Sequence, residues 1–349
     1  MQEFEYKVTS WHMSAWSQIW ARPAEVPHAL LLTGPEGTGK GLFARAVAAR
    51  LLCEAPMGEF ACGVCASCRW LAADSHPDLR LIIPEADAAG DETAGDTDKK
   101  KASRQIVIDQ IRSLEDFVYL GGHRNGARVV VIEPAEAMNA AAANSLLKIL
   151  EEPPVSVYFI LTSSRWRRLL PTVLSRCRRL NLPRPMSGEA EAWIKQQGVG
   201  SAPDDIISLL GEAPLSAVEE LRKGTGAIFA GVLGSLAEPG RDPLVLAARW
   251  QTQVQIRGDA GMPMEDFIRI LQRWLFDLML AKVADRSRFQ GSRAAAVQRL
   301  AAGATSAALI RCYNDLMKFR ALASHPLNPQ LFLEDIAERY LRALAGEKA

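Results

Sequence analysis

The sequence predicts an α/β fold in which a doubly wound parallel sheet is followed by two helical domains. Three observations predict it. Apolar strands alternate with helical stretches through the first half of the chain, a glycine-rich loop joins the first strand to the first long helix, and helical periodicity runs from residue 243 to the end. With 349 residues the chain is long enough for two or three domains.

Composition and charge exclude several classes of protein. Hydrophobic residues make up 48% of the chain, charged residues make up 23%, and the formal net charge is +1. A nearly neutral chain is not an electrostatic nucleic-acid binder as a whole, so such a role would need a local basic patch. The sequence has no apolar run as long as a membrane helix and no signal-peptide pattern, so we expect a soluble, cytoplasmic protein.

The first strand, Ala29 to Thr33, leads into a glycine-rich loop and then a helix from Leu42 to Leu52. Such a loop lets backbone N–H groups converge on a phosphate at a helix N-terminus. The candidate phosphate ligands are Gly34, Gly37, Gly39 and Lys40. The loop matches G-x-x-x-x-G-K-[ST] except at the last position, where Gly41 replaces the hydroxyl that ligates Mg²⁺. The sequence thus predicts a phosphate-loop fold. It leaves open whether ATP or ADP binds, and it argues against ATP hydrolysis by this chain.

Four cysteines follow this helix with the spacing C-x₈-C-x₂-C-x₂-C, and they are Cys53, Cys62, Cys65 and Cys68. Four thiolates on tight turns are the ligands that a closed, structural zinc site uses. Unrelated thiols and a disulfide pair are the alternatives, although the reducing cytosol disfavours a disulfide. His76 is a possible substitute ligand, but the four cysteines already complete a tetrahedral site.

The next part of the chain continues the alternation of strands and helices. Strands are predicted at Leu79–Ile83, Arg128–Glu133 and Tyr158–Leu161, and helices at Ile106–Tyr119 and Asn139–Glu151. Residues 85–105 are poor in large apolar side chains, so we interpret them as a mobile loop whose lysine run, 99–101, is solvated.

The strand that ends at Ile132 is followed by Glu133 and Pro134. Phosphate-loop ATPases place at this point an Asp that holds Mg²⁺ and, in the ring-forming branch, a Glu that polarises the attacking water. Proline has no carboxylate, so the residue at the expected position of the catalytic base cannot accept a proton. Glu136 is a weak replacement because it lies beyond the turn. The polar residues after the next strand, 162–164, fit either a γ-phosphate sensor or a simple turn.

Six arginines lie between residues 165 and 179. One interpretation is a solvated basic face. The sharper interpretation selects Arg176, within Ser175 to Cys177, because a guanidinium from one subunit can neutralise charge on the γ-phosphate bound by another.

Together these segments resemble the bacterial clamp-loader branch of the AAA+ family over about residues 27–182. The segments that carry the resemblance are Leu32–Lys40, the four-cysteine insert, Ala143–Pro154 and Leu174–Cys177. Within that family, the missing loop hydroxyl and acidic pair place the chain with a subunit that does not hydrolyse ATP rather than with the catalytic gamma/tau subunits. The resemblance implies that Arg176 acts in trans as an arginine finger.

The resemblance also implies partners and domains. The partners would be gamma/tau-type ATPase subunits and a delta-type subunit in a hetero-oligomeric ring that loads a sliding clamp onto primed DNA. The expected domains are an AAA+ domain at residues 1–184, a small helical lid at 185–240 and a helical oligomerisation collar at 243–349. Lid helices are expected at 187–197, 203–210 and 214–222, and the last begins without the sensor arginine of active members.

Two other functions remain as alternatives. The first is an active ATPase with an unusual loop, which Lys40 permits for binding but Gly41 and Pro134 disfavour for turnover. The second is a freestanding zinc protein that binds DNA through its arginine run. That alternative predicts salt-sensitive DNA binding by the isolated chain.

Overall fold

The structure is a computed structural model that describes residues 8–88, 103–119, 126–199, 209, 213–254, 261–289, 291–322 and 328–346. The chain divides into two compact units, Met1–Pro185 and Met186–Ala349. Within the described residues, no helix is both long enough and apolar enough to cross a membrane.

One parallel sheet forms the centre of the first unit. In its described part the strands are β1 (Ala29–Thr33), β2 (Leu79–Ile82), β3 (Arg128–Ile132), β4 (Val157–Ser163) and β5 (Arg178–Asn181). Their spatial order is β2-β3-β4-β1-β5, and every neighbouring pair is parallel. Every residue of β1 and β3 is buried, whereas the edge strands β2 and β5 are largely exposed. The apolar runs in the sequence therefore mark the inner strands.

Helices cover both faces of the sheet. They are α1 (Met13–Trp20), α2 (Lys40–Leu52), α3 (Ala66–Ala72), α4 (Glu85–Ala88), α5 (Ile108–Tyr119), α6 (Ala140–Glu151) and α7 (Pro171–Leu174). Short 3₁₀ helices lie at Ser10–His12, Pro23–Glu25, Ala135–Ala137 and Trp166–Arg168. Leu30 packs with Trp16 and Phe43 of α1 and α2, while its neighbour Leu31 packs with Leu146 of α6 on the opposite face. This alternation follows from the two-residue period of a strand.

The second unit is helical throughout its described part. Its helices are Ser187–Gln196, Pro214–Arg222, Gly226–Ala237, Pro243–Gln251, Met264–Ala284, Ala294–Gly303, Ser306–Leu322 and Pro329–Leu344, with a 3₁₀ turn at Gly291–Arg293. Its main core contains Trp250, Trp274 and Tyr340, and the Trp274 indole N–H donates to the Tyr340 hydroxyl at 2.8 Å. A smaller cluster of Ile194, Ala217 and Val218 lies between the first two helices.

The predicted parallel sheet with helices and the mostly helical second half are confirmed. The split of the second unit into a lid and a collar stays a prediction, as does the division into three domains. The helix predicted at 203–210 lies outside the described residues except for Leu209. Of the segment interpreted as mobile, Glu85–Ala88 forms one helical turn, and residues 89–102, with the lysine run, lie outside the described residues.

Candidate functional site

The glycine-rich loop lies at the carboxyl end of β1, between β4 and β5 in the sheet. Gly37 and Gly39 have φ values of 71° and 103°, which side-chain-bearing residues rarely adopt. A Cβ at Gly34 would lie 2.5 Å from the backbone oxygen of Leu182, so only glycine fits there. The loop ends at Lys40, the first residue of α2, and so has the predicted strand–loop–helix form of a phosphate cradle.

Lys40 is buried at the start of α2, and its ammonium donates to the backbone oxygen of Pro35 at 2.6 Å. Burial lowers the pKa of Lys40, and the nearby carboxylate of Glu136 opposes that shift. On the outer side of the loop, the Trp11 indole N–H donates to the backbone oxygen of Thr38 at 3.0 Å. The sequence does not reveal this contact, because it joins residues 27 positions apart.

The carboxylate of Glu133 lies directly against Gly41. A Cβ at Gly41 would lie 2.0 Å from Glu133 Oε1, and Glu133 Oε2 lies 3.5 Å from Arg45 Nη2. Glu133 follows β3, at the position where the phosphate-loop pattern leads us to expect an Asp, and its longer side chain reaches toward the place of the missing loop side chain. A hydroxyl residue at position 41 would displace this carboxylate. The residues present therefore do not supply the loop hydroxyl and acidic pair that a hydrolytic Mg²⁺–nucleotide site uses.

Glu136 lies in the 3₁₀ helix after β3, and its carboxylate reaches the carboxyl end of β4. Its Oε1 accepts hydrogen bonds from the backbone N–H groups of Ser164 at 2.9 Å and Arg165 at 3.1 Å. Ser163 Oγ also accepts from the Arg165 N–H at 3.1 Å. These contacts give Glu136 a structural role in the turn after β4. A sensor role for residues 162–164 stays a prediction.

Arg176 lies in the turn between α7 and β5. Its Nη1 donates to the backbone oxygen of Thr172 at 2.8 Å and to Ser175 Oγ at 3.3 Å, and its Nη2 donates to the carboxylate of Glu151. The side chain is 31% exposed. The guanidinium is therefore held by its own chain yet remains accessible from solvent.

Other arginines of the same run have local partners. The guanidinium carbons of Arg167 and Arg179 lie 4.8 and 4.4 Å from the centroid of the Trp166 ring. Arg178 and Arg179 belong to β5, a strand that the sequence analysis did not predict because its run is basic rather than apolar. The run is thus partly an edge strand and partly a stack around one indole.

The four predicted metal ligands come together between α2 and α3. The sulfur atoms of Cys53, Cys62, Cys65 and Cys68 all lie within 4.8 Å of one another. The Cys53–Cys65 and Cys62–Cys68 sulfur separations are 4.0 and 3.9 Å. A tetrahedron with zinc–sulfur bonds of about 2.3 Å has sulfur atoms about 3.8 Å apart. The cluster could hold a metal ion, and its size fits zinc.

Backbone N–H groups point at these sulfur atoms. The Cys62 N–H lies 3.2 Å from Cys53 Sγ, the Cys65 N–H lies 3.3 Å from Cys62 Sγ, and the Cys68 N–H lies 3.4 Å from Cys65 Sγ. Hydrogen bonds from the Val64 and Cys65 backbones lower the pKa of Cys62 to about 6. Burial raises the pKa of Cys53 and of Cys68. The arrangement combines the turns and N–H donors that thiolate ligands need.

His76 is not part of this cluster. Its Nδ1 accepts from the backbone N–H of Asp78 at 3.0 Å, and its Nε2 lies 2.7 Å from Ser67 Oγ. The Ser67 hydroxyl donates in turn to the backbone oxygen of Leu52 at 2.7 Å. The Ser67 hydroxyl, which His76 contacts, therefore ties α3 to the end of α2 beside the cluster, a supporting role that the sequence does not reveal.

The family described as "DNA polymerase III, delta subunit" matches residues 13–186 of the chain. That segment holds the whole sheet, the glycine-rich loop, the cysteine cluster and Arg176.

Named relatives match a similar share of the chain. The "DNA polymerase III subunit delta'" of Pseudomonas aeruginosa is 39% identical over 210 residues, which is 59% of this chain and 59% of that protein. The protein of the same name from Haemophilus influenzae is 34% identical over 200 residues, 56% of each chain. The "DNA polymerase III subunit gamma/tau" of Mycobacterium tuberculosis is 30% identical over 241 residues, 64% of this chain and 39% of that protein. The chain thus spans little more than half the length of the first two relatives.

Proposed function

We propose that the chain belongs to the clamp-loader family of DNA polymerase III subunits and acts as a subunit of the delta-prime type, because the family model matches residues 13–186 and the relatives named delta' match more than half of the chain. In this role it does not hydrolyse ATP by itself. It is a fixed member of an ATP-driven, hetero-oligomeric ring that places a sliding clamp on primed DNA during replication. The named relatives match little more than half of this chain, and the role is proposed for the whole chain.

The observation that carries the proposal is the state of the phosphate loop. Gly41 supplies no hydroxyl, Pro134 supplies no carboxylate, and the Glu133 carboxylate lies where a side chain at position 41 would begin. Mg²⁺ positioning and water positioning are both impaired, and such losses compound in a phosphoryl-transfer site. The loop glycines and Lys40 keep the shape of a phosphate cradle. The proposal therefore includes binding of ATP or ADP that is not hydrolysed.

Arg176 is the chemical contribution that the chain retains. In the assembled ring, its guanidinium would be offered to the γ-phosphate of ATP bound by an adjacent gamma/tau-type subunit. Planar guanidinium groups suit this task because they donate two parallel hydrogen bonds to phosphate oxygens. The partial exposure of the side chain supports the proposal, since a finger has to be reachable from outside its own subunit.

The cysteine cluster is proposed to hold one structural zinc ion. Cys53, Cys62, Cys65 and Cys68 would supply four thiolates and leave no open position, so the metal would order the insert between α2 and α3 rather than take part in a reaction.

The second unit completes the proposed architecture. Residues 185–240 would form the lid and residues 243–349 the oligomerisation collar, through which the chain meets gamma/tau-type and delta-type partners. The clamp and primed DNA would be engaged by the assembled ring in the cytoplasm. The separate small core of Ile194, Ala217 and Val218 supports a distinct lid.

The test of this function is assembly. The tagged chain, purified together with gamma/tau-type and delta-type subunits from the same organism, is expected to elute with them as one complex on size-exclusion chromatography. Mass spectrometry of the proteins that co-purify from cell extract should identify the same partners. A chain that elutes alone under conditions in which the other subunits associate would contradict the proposal.

A second candidate is a catalytically active ATPase of the gamma/tau type. It is supported by the 30% identity to a gamma/tau subunit and by the retained Lys40. The two candidates differ in one measurable property, because only the second predicts ATP turnover that depends on Lys40.

A further inference from the structure

Glu151, the last residue of α6, contacts Arg176 through an ion pair. We propose that Glu151 is a positioning residue, which orients the Arg176 guanidinium for use on a neighbouring subunit's ATP. The inference rests on the proposed trans-acting role of Arg176. It goes beyond that role because it assigns a second residue, on a different element, to the same reaction.

The contacts of the guanidinium define which of its edges is held. Thr172 O and Ser175 Oγ accept from Nη1, and Glu151 Oε1 accepts from Nη2. No acceptor for the Nε–H group occurs among the residues that the structure describes. The three acceptors therefore bind Nη1 and Nη2, and the Nε–H group remains able to donate to a phosphate oxygen. A long, flexible side chain is thereby restricted before any partner is bound.

The two elements that meet at this contact are firmly placed. α6 begins at Asn139, whose side chain accepts from the Ala142 N–H at 2.8 Å, and the helix buries Leu146 and Ile149 in the core. α6 packs against α7, where Val173 is fully buried. Glu151 thus acts from a rigid helix end, where the partial negative charge of the helix C-terminus also favours a cation.

The size of the expected effect follows from exposure. Glu151 is 50% exposed and Arg176 31% exposed, so solvent screens the pair. Exposed pairs are typically worth up to about a five-fold change in an equilibrium constant. Loss of Glu151 should therefore slow hydrolysis about two- to five-fold at the ATP site that Arg176 serves. That removes roughly half to four-fifths of the turnover at that site, whereas loss of the finger removes nearly all of it.

The experiment uses the reconstituted loader with clamp and primed DNA, and it compares Glu151→Ala, Arg176→Ala and the double variant. Glu152→Ala is the matched control, because Glu152 is the adjacent exposed carboxylate and makes no hydrogen bond or ion pair with any residue that the structure describes. Co-elution with partners and the thermal midpoint of the isolated chain show that each variant folds and assembles. Glu151→Gln provides a milder change that keeps the shape of the side chain.

We expect Glu151→Ala to cause half to four-fifths of the fall in kcat that Arg176→Ala causes, without a change in the KM for ATP. The double variant should be no slower than Arg176→Ala, because Glu151 acts through Arg176. Glu151→Gln should give a smaller fall, and Glu152→Ala should match the parent.

Two results overturn the positioning role while leaving the finger in place. In one, Glu151→Ala matches the parent although Arg176→Ala lowers turnover. In the other, the double variant is slower than Arg176→Ala, so that Glu151 acts independently of the arginine. A loader in which Arg176→Ala itself behaves as the parent would instead overturn the trans-acting role of Arg176, and the positioning role with it.

Discussion

At residue 41 the chain departs from the phosphate-loop pattern. A hydrogen atom stands there in place of the hydroxyl-bearing side chain of an active phosphate loop, and the space is taken by the carboxylate of Glu133. The nearby Lys40 keeps its cradle position and contacts Pro35. The same few residues thus preserve the fold of a phosphate site while removing the groups that position Mg²⁺ and water.

Isolated protein is accordingly expected to show no steady ATP turnover above background. Gly41 and Pro134 remove two separate contributions to catalysis, and their losses compound. The measurement is phosphate release by the purified chain with Mg²⁺ and ATP, with Lys40→Ala as the matched control for contaminating ATPases. Turnover that Lys40→Ala abolishes would reverse the assignment in favour of an active enzyme.

Loss of Arg176 should affect ATP hydrolysis by the partner subunits and not the folding of this chain. Arg176→Ala should leave the chain folded and able to assemble, yet lower clamp- and DNA-stimulated ATP hydrolysis by the loader. An arginine finger contributes about 10³- to 10⁵-fold in rate in GTPase systems. A ring with several ATP sites should therefore lose the part of its total ATP hydrolysis that one site contributes.

Two further variants sharpen this test. Arg176→Lys should restore little, because lysine keeps the charge but lacks the planar fork. Arg168→Ala, in the same basic run, should have much less effect. If the loader with Arg176→Ala hydrolyses ATP and loads clamps as the parent does, Arg176 is a surface charge.

At the scale of elements, the insert between α2 and α3 depends on its four cysteines. Its described residues form turns with one short bridge, Met57 to Phe60, and little core of their own. A metal ion would supply the cross-link that such a segment lacks. His76 and Ser67 then fasten the far end of the insert to α2.

Purified protein prepared without chelator is therefore expected to contain about one equivalent of zinc by elemental analysis. Removal of the metal with a chelator should make residues 53–68 more susceptible to proteolysis, because metal binding and local folding are linked. Cys62→Ser should lower the zinc content, while Cys177→Ser, outside the cluster, should not. A zinc-free preparation would show that the cluster has no metal role.

The elements differ in how far the sequence could predict them. β1 and α2 were predictable because an apolar run and a glycine loop are local signals, and the four cysteines were predictable because metal-ligand spacing is local too. β5 was not, since this edge strand buries only Leu180 and carries Arg178 and Arg179. The contacts of Glu133 with Gly41 and of Glu151 with Arg176 join residues 92 and 25 positions apart. Such pairs depend on strand order and helix packing, which no local pattern contains.

At the scale of the whole molecule, charge separates the clamp-loader function from a freestanding DNA-binding function. The net charge is +1, and several arginines of the basic run are engaged locally, among them Arg176 with Glu151 and Arg179 with Trp166. A chain of this kind has no strong electrostatic footprint for DNA.

The isolated chain is therefore expected to bind primed DNA no more tightly than non-specific proteins do, with a Kd weaker than about 1 μM at physiological salt. Fluorescence anisotropy with labelled DNA over a range of salt concentrations measures this directly. Tight binding that weakens steeply with salt would favour the freestanding DNA-binding alternative.

Clamp loading by a reconstituted loader tests most directly the central claim, that this chain is a required but non-hydrolysing subunit. Loading is measured with and without the chain, and phosphate release is measured for the chain alone with Mg²⁺ and ATP. The account predicts that omission abolishes loading and that the chain alone releases no phosphate above the background of Lys40→Ala. Loading without the chain, or phosphate release that Lys40→Ala abolishes, would contradict the claim.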